Sequence, residues 1–547
     1  MTNEAIPGLI ASLYGVDNAA RVEGRLSEIM GKYRGKIRQP VDSGLSERDC
    51  MLITYGDQVQ EPGQTHLKTL NEFCRKHLSG LISSIHILPF YPWSSDDGFS
   101  VKDYRAIDPA LGDWPDVEQL GEKFRLMFDA VINHASVQGT WFQAFLRDEA
   151  PYRDYFMTVE GNPDLSRVIR PRALPLLTEF QTSSGPRRVW TTFSADQVDL
   201  DFHNPDVLLE IVDILLGYVS HGAQFIRLDA IAFLWKEPGT TCLHLPQTHD
   251  VVRLLRAVLE ETAPHVRIIT ETNVPHVDNI SYFGNGTNEA HLVYNFALPP
   301  LVLHTLRTGD TSALSNWAST LSLPSDKTTF FNFLASHDGI GLNPVRGILS
   351  QEEIDGLVQQ TLEHGGLISY KDNPDGTQSP YEMNINYFDA LSKPDGDEPL
   401  NDQVDRFMAS QSIMLSLKGM PGIYFHSLFG SRGWKAGVEL TGRNRTINRQ
   451  KLEWDALENE LSNLSFLPAQ VFSRYTERIH RKASSPAFNP FGSQEVLDHG
   501  KGIFAIKRTS PDGEHSVICL QNVTNQPQSS GRYELSPYQA LWITKSH

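Results

Sequence analysis

Short apolar runs recur along this chain with amphipathic stretches between them, and that alternation limits its possible folds more than any other feature. Residues 51–55, 85–88, 126–132, 224–228, 267–269, 329–334 and 422–425 each read as a strand buried on both faces. Stretches such as 65–78, 206–220 and 250–262 carry apolar residues at helical spacing. Strands alternating with helices build βα units and a parallel sheet, and this many of them predict an α/β chain closed as a (β/α)8 TIM barrel, 51–134, 201–338 and 406–485. Two segments break the rhythm: 135–200, rich in Arg, Pro, Phe and Trp, and 339–405, with clusters of Gly, Asn, Asp and Pro. Both are predicted to be inserted subdomains, which in a barrel lie on the catalytic face when they follow strands. The last stretch, 486–547, reads as a small antiparallel β domain, and 1–50 as a helical extension with Ile10, Leu13, Val22, Leu26 and Met30 on one face.

Charge narrows the partners. The 48 basic and 66 acidic residues give a net charge of −18, the wrong sign for nucleic acid or an anionic membrane. No apolar run reaches the roughly 18 residues of a membrane span, and the first residues lack the charged-then-apolar pattern of a secretory signal. Cys50, Cys74, Cys242 and Cys519 show no paired spacing, which disfavours a disulfide framework or a zinc site. The expectation is a cytoplasmic enzyme without metal or cofactor. Its oligomeric state stays open, a homodimer included.

Three acidic residues fall where such a barrel places its chemistry. Asp229 ends one strand, Glu271 the next, and His337-Asp338 a third. One acidic strand end is ordinary turn chemistry; three in succession suggest carboxylates facing one cavity. Crowded carboxylates push one pKa up, placing an acid beside an ionised nucleophile, as glycosyl transfer with retention needs. A divalent metal could use the same cluster, but Arg227 already supplies a positive charge beside Asp229.

Asp129-Ala-Val-Ile-Asn-His134, Arg227-Leu-Asp229, Glu271 and His337-Asp338 occur in the order that marks the α-amylase clan of retaining glycoside hydrolases. From about residue 51 the chain resembles the sucrose-phosphorylase group of that clan, through LITYGDQ (52–58), IHILPFYP (85–92), DDGFSVKDY (96–104), IRPRALP (169–175), VDLDF (198–202) and RTINR (445–449). The resemblance implies that Asp229 is the nucleophile, Glu271 the general acid/base and Asp338 a transition-state stabiliser. It assigns the glucosyl unit to Asp96, Phe99, His134, Arg227, His337 and Arg445, and phosphate to Arg172 and Tyr381. Its small-molecule substrates are an α-glucoside and inorganic phosphate. Trp141 and Trp190 read as packing within the first insertion.

The acceptor region departs from sucrose phosphorylases. Ser379-Pro-Tyr381-Glu382 replaces their Asp-Leu-Tyr-Gln, Phe233 stands where Tyr is usual, and Asn273 follows the acid/base in Glu271-Thr-Asn-Val-Pro-His276. This pattern resembles the branch acting on glucosylglycerate and glucosylglycerol, which implies that Asn273 and Glu382 meet the hydroxyls of a three-carbon aglycone. A bare Glu382 would favour neutral glycerol, the overall likeness favours glycerate, and both remain open at this point. Sucrose, or its 6′-phosphate, is the alternative donor, and hydrolysis or transglucosylation the alternative reaction.

Overall fold

The computed structural model describes residues 5–40, 44–373 and 376–545. Eight parallel strands close into a barrel: β1 (Met51–Thr54), β2 (Ser84–Ile87), β3 (Arg125–Ala130), β4 (Ala223–Leu228), β5 (Arg267–Thr270), β6 (Leu292–Tyr294), β7 (Thr329–Asn332) and β8 (Met420–Tyr424). Each pairs with its sequence neighbours, and β1 closes the ring on β8 with Met51 opposite Gly422. A Cβ at Gly422 would stand 2.3 Å from the Phe331 ring, so glycine there lets Phe331 fill the barrel beside β8. The strand absent from the sequence reading is β6. Three residues are too few to show a period, and only its pairing with β5 and β7 defines it.

Each of the two insertions builds a small sheet of its own. In the first, strands Thr158–Val159, Leu177–Thr182 and Gly185–Trp190 form an antiparallel sheet around a small core containing Met157, Leu176 and Trp190. Its root is the pairing of His134–Ser136 with Gln197–Asp199. The second joins helix Gln351–Glu363, opened by a Ser350/Glu353 capping box, to a sheet of Ile340–Gly341, Leu367–Asp372 and Gln378–Asn384. Helix Leu400–Ser416 already leads into β8, so the barrel resumes a few residues before 406. The tail forms a four-stranded antiparallel sheet, Ser493–Leu497, Ile503–Thr509, Ser516–Asn522 and Ala540–Lys545, with a separate hairpin of Gln528–Ser530 and Tyr533–Leu535.

The extension folds against the barrel. Helices α1 (Ala5–Tyr14) and α2 (Val16–Tyr33) pack on α4 (Pro246–Thr262) and α3 (Pro205–Ser220) respectively. Ile6, Ile10, Leu13, Val22, Leu26, Met30 and Tyr33 are buried there. Polar contacts fix the register: Ser12 Oγ donates to Asp250 Oδ2 at 2.8 Å, Tyr14 OH to Phe202 O at 3.1 Å, and Lys32 pairs with Asp213 at 2.8 Å. Asn204 caps α3 by accepting from Asp206 N, with Pro205 at the first helical position.

Candidate active site

Asp229 follows β4, Glu271 follows β5, and His337 and Asp338 lie in the segment leaving β7, all at the C-terminal rim of the barrel. Residues two apart on a strand share a face, so Arg227 points the same way as Asp229. Its Nη1 donates to Asp129 Oδ1 at 2.5 Å and to Asp229 Oδ1 at 2.8 Å, while Nη2 stands 4.0 Å from Glu271 Oε1. Asp129 also bonds His86 Nε2 at 2.6 Å. Burial alone would raise the Asp129 carboxyl, but His86 and Arg227 outweigh it and hold the group below its ordinary range.

Glu271 and Asp229 differ in their partners. Burial pushes both carboxyls up, against the pull of Arg227, and Asp229 is raised further by the charge of Glu271. Their mutual repulsion favours a single negative charge on the pair over two. The direct bond from Arg227 favours the charge on Asp229, whereas Glu271 has its nearest guanidinium nitrogen 4.0 Å away and is the better placed of the two to keep a proton. Ala230, between them in the chain, adopts φ +49° and donates its N–H to Glu271 Oε2 at 3.0 Å. A left-handed alanine costs energy, and here it turns the backbone sharply behind Asp229.

Asp338 has the opposite environment. Burial would raise it, yet Arg445 at 2.5 Å, His337 at 3.4 Å and Arg449 at 3.7 Å hold it far below the usual carboxylate range. It stays ionised and cannot serve as the acid. His337 stacks on Phe99 at 4.7 Å between ring centroids, and burial lowers its pKa to about 3, so the imidazole is neutral at physiological pH. One raised pair beside one fixed anion suits a double displacement through a cationic transition state.

The α-amylase catalytic-domain model matches residues 77–339. The chain is 52% identical to the glucosylglycerate phosphorylase of Spirochaeta thermophila over 95% of its own length and 89% of the relative's. It is 49% identical to the glucosylglycerate phosphorylase of Allomeiothermus silvanus, covering 97% and 96% of the two chains. The chain belongs to the sucrose-phosphorylase group of the α-amylase family. The crystal structure of sucrose 6F-phosphate phosphorylase from Thermoanaerobacter thermosaccharolyticum shares its fold, with TM-score 0.78 and 23% identity over 92% of this chain and all of that one.

The structure gathers most of the expected family residues in one cleft. Asp96, Phe99, His134, His337 and Arg445 line it with Asp229, Glu271 and Asp338, and Arg172, Phe233, Asn273 and Tyr381 line it as well. Arg227 lies behind Asp229 and orients it from within the barrel, with 2% exposure. His134 is almost fully buried, and its Nε2 donates to Phe99 O at 2.8 Å. A Cβ at Gly341 would stand 2.5 Å from Asn273 Oδ1, so glycine leaves the room that Asn273 occupies. Trp190 is buried in the small core of the first insertion and Trp141 stacks on Tyr104, both packing.

Two expected acceptor contacts are not in the cleft. Ser379 Oγ donates to Asn373 Oδ1 at 3.0 Å. Glu382, 1% exposed, accepts from Gly339 N at 2.6 Å and from Arg445 Nε at 3.2 Å, and its Oε1 forms an ion pair with Arg445 Nη2 at 3.1 Å. It supports Arg445 from behind. The cause is a bulge: Ser369 faces Glu382 and Tyr370 faces Pro380, so Tyr381 is the extra residue and is aimed alone at the cleft. Alternation along the strand gives no sign of this.

Sequence reasoning missed Phe193 and Gln197, which line the cleft. Gln197 Nε2 donates to Phe99 O at 3.1 Å. It immediately precedes the VDLDF segment, the one signal that could have found it. Lys236 was also missed: its ammonium, 2% exposed, pairs with Asp199 at 2.9 Å and Asn133 Oδ1 at 2.7 Å directly behind His134. Among the described residues no cluster of His, Cys, Asp and Glu has the arrangement of a metal site, and no helix is long and apolar enough to cross a membrane.

Proposed function

We propose that this protein is a retaining phosphorylase that converts 2-O-α-glucosylglycerate and inorganic phosphate into α-glucose 1-phosphate and glycerate. Asp229 attacks the anomeric carbon while Glu271 protonates the departing glycerate oxygen. Phosphate then attacks the β-glucosyl-enzyme, Glu271 takes up its proton, and Asp229 leaves with overall retention. Asp338, held ionised by Arg445, stabilises the positive charge that develops at the sugar ring in both steps.

The observation that carries this reading is the 52% and 49% identity, over nearly the whole chain, to enzymes named glucosylglycerate phosphorylase. The site supports glycerate over glycerol. The charge of Glu382, which would repel a carboxylate, is met by Arg445, while Arg172 faces the cleft with its nearest carboxylate, Asp96, 3.9 Å away. A guanidinium so placed suits either the glycerate carboxylate or phosphate. Retaining the bond energy as a sugar phosphate fits a cytoplasmic enzyme.

The test is release of glucose 1-phosphate, with and without phosphate, from glucosylglycerate, glucosylglycerol and sucrose in parallel. Phosphate-dependent release from glucosylglycerate far above the other two is expected. Free glucose from all three, indifferent to phosphate, would identify a hydrolase instead.

A further inference from the structure

Beside the cleft a wider cavity of about 380 Å3 opens between the two insertions and residues 442–449. Asp96, Arg172 and Arg445 line both, so the two spaces communicate. Four guanidiniums, those of Arg172, Arg443, Arg445 and Arg449, face this outer chamber, and among the described residues a single carboxylate, Asp96, lines it. In a chain of net charge −18 this is a local reversal of sign.

Two of the four are committed. Arg445 bonds Asp338 and Glu382; Arg449 bonds Asp97 at 2.5 Å and His337 O at 2.8 Å. Among the described residues the side chains of the other two make no such bond. Arg172 stands 3.9 Å from Asp96 and Arg443 3.9 Å from Asp97, both beyond hydrogen-bond reach, and their side chains are 31% and 51% exposed. Ser95, Ser369 and Asn444 supply neutral polar groups in the same wall. The cleft itself is narrower than this chamber, about 70 Å3.

We propose that the outer chamber is a second oxyanion site, in which Arg443 and Arg172 bind inorganic phosphate or a small carboxylate next to the cleft. Its role in the reaction rests on the phosphorylase reading above; its existence does not. Both acceptors are anions, and Arg172, which lines both spaces, passes them between the chamber and Glu271. The planar guanidinium forks match oxyanion geometry, and the surrounding negative charge makes this opening the favoured approach for an anion.

Equilibrium dialysis of the full-length protein against radiolabelled inorganic phosphate, with no donor present, tests the site directly. Wild type is expected to bind two phosphates per chain and Arg443→Gln one. Kinetics with α-glucosyl fluoride, a neutral donor, test its use. Arg443→Gln is expected to raise KM about tenfold for phosphate and for glycerate but to leave KM for glycerol within about twofold, and Arg443→Lys to keep most of the wild-type preference. One phosphate per chain in both proteins, or an equal rise in KM for glycerol, overturns the proposal. A wild type that binds two phosphates yet releases only glucose would sink the phosphorylase reading and leave the oxyanion site standing.

Discussion

Replacing Glu382 by Gln separates two roles that one residue could play. If it holds Arg445, the loss falls on every glucosyl donor alike; if it touches the aglycone, the loss depends on the donor. Glu382 Oε1 accepts at 2.6 Å from Gly339 N and lies 3.1 Å from Arg445 Nη2, and Oε2 accepts at 3.2 Å from Arg445 Nε. A glutamine can keep the first oxygen's bonds, but its NH2 then meets the Nε–H, donor against donor. One charge-assisted bond at a buried site is worth about 1.5–3 kcal/mol, so kcat/KM is expected to fall about tenfold to a hundredfold. Arg445 also anchors Asp338 at 2.5 Å, so part of that loss belongs in kcat. The assay is kcat/KM for glucosylglycerate and glucosylglycerol with wild type and Glu382→Gln. The ratio of the two donors should stay within about threefold of wild type, a difference under 1 kcal/mol. A tenfold change in that ratio with little common loss would refute the supporting role and return Glu382 to the acceptor site.

Asp229→Asn should lower kcat by about 10⁴-fold or more with an unchanged circular dichroism spectrum, and retained turnover would contradict its role as nucleophile. Burial raises the folded-state pKa of Glu271 above its unfolded value, so the folded protein holds the extra proton and stability falls as pH rises above about 4. Glu271→Gln is therefore expected to raise the thermal midpoint at neutral pH and flatten its pH dependence; a lower midpoint at every pH would count against this. Lys236→Met strands the fully buried Asp199 without a counter-charge and should cost about 3–5 kcal/mol in denaturant unfolding, most of it regained on adding Asp199→Asn. Deleting residues 1–40 uncovers the faces of α3 and α4 on which seven buried side chains pack. At about 1.5–3 kcal/mol each the loss exceeds typical domain stability, and an insoluble product is expected; a soluble variant with wild-type thermal stability would show that the helices are dispensable.

The sequence carried the barrel because seven of its strands are apolar runs long enough to stand out, and the carboxylates because each ends such a run. It did not carry β6, whose Leu-Val-Tyr is too short to show a period. At the acceptor side motif position named Arg172, Tyr381 and Asn273, which do line the cleft. It misplaced Ser379 and Glu382 because a bulge sets direction through backbone pairing rather than composition. Lys236 was invisible for a related reason. A buried lysine is recognised by its partners, and Asn133 and Asp199 lie far from it in the chain.

The packing of α1 and α2 also sets an order of events during synthesis. Ser12 and its partner Asp250 are 238 residues apart, so α1 leaves the ribosome long before α4 exists. At roughly 5–20 residues per second the wait is about ten to fifty seconds, during which Ile6, Ile10 and Leu13 have no surface to cover them. The helices they finally meet, α3 and α4, lead directly into β4 and β5, which carry Asp229 and Glu271. These two helices, made well before the surfaces they cover, thus find their place only after α3 and α4 exist, and in doing so they brace the back of the two strands that lead to Asp229 and Glu271.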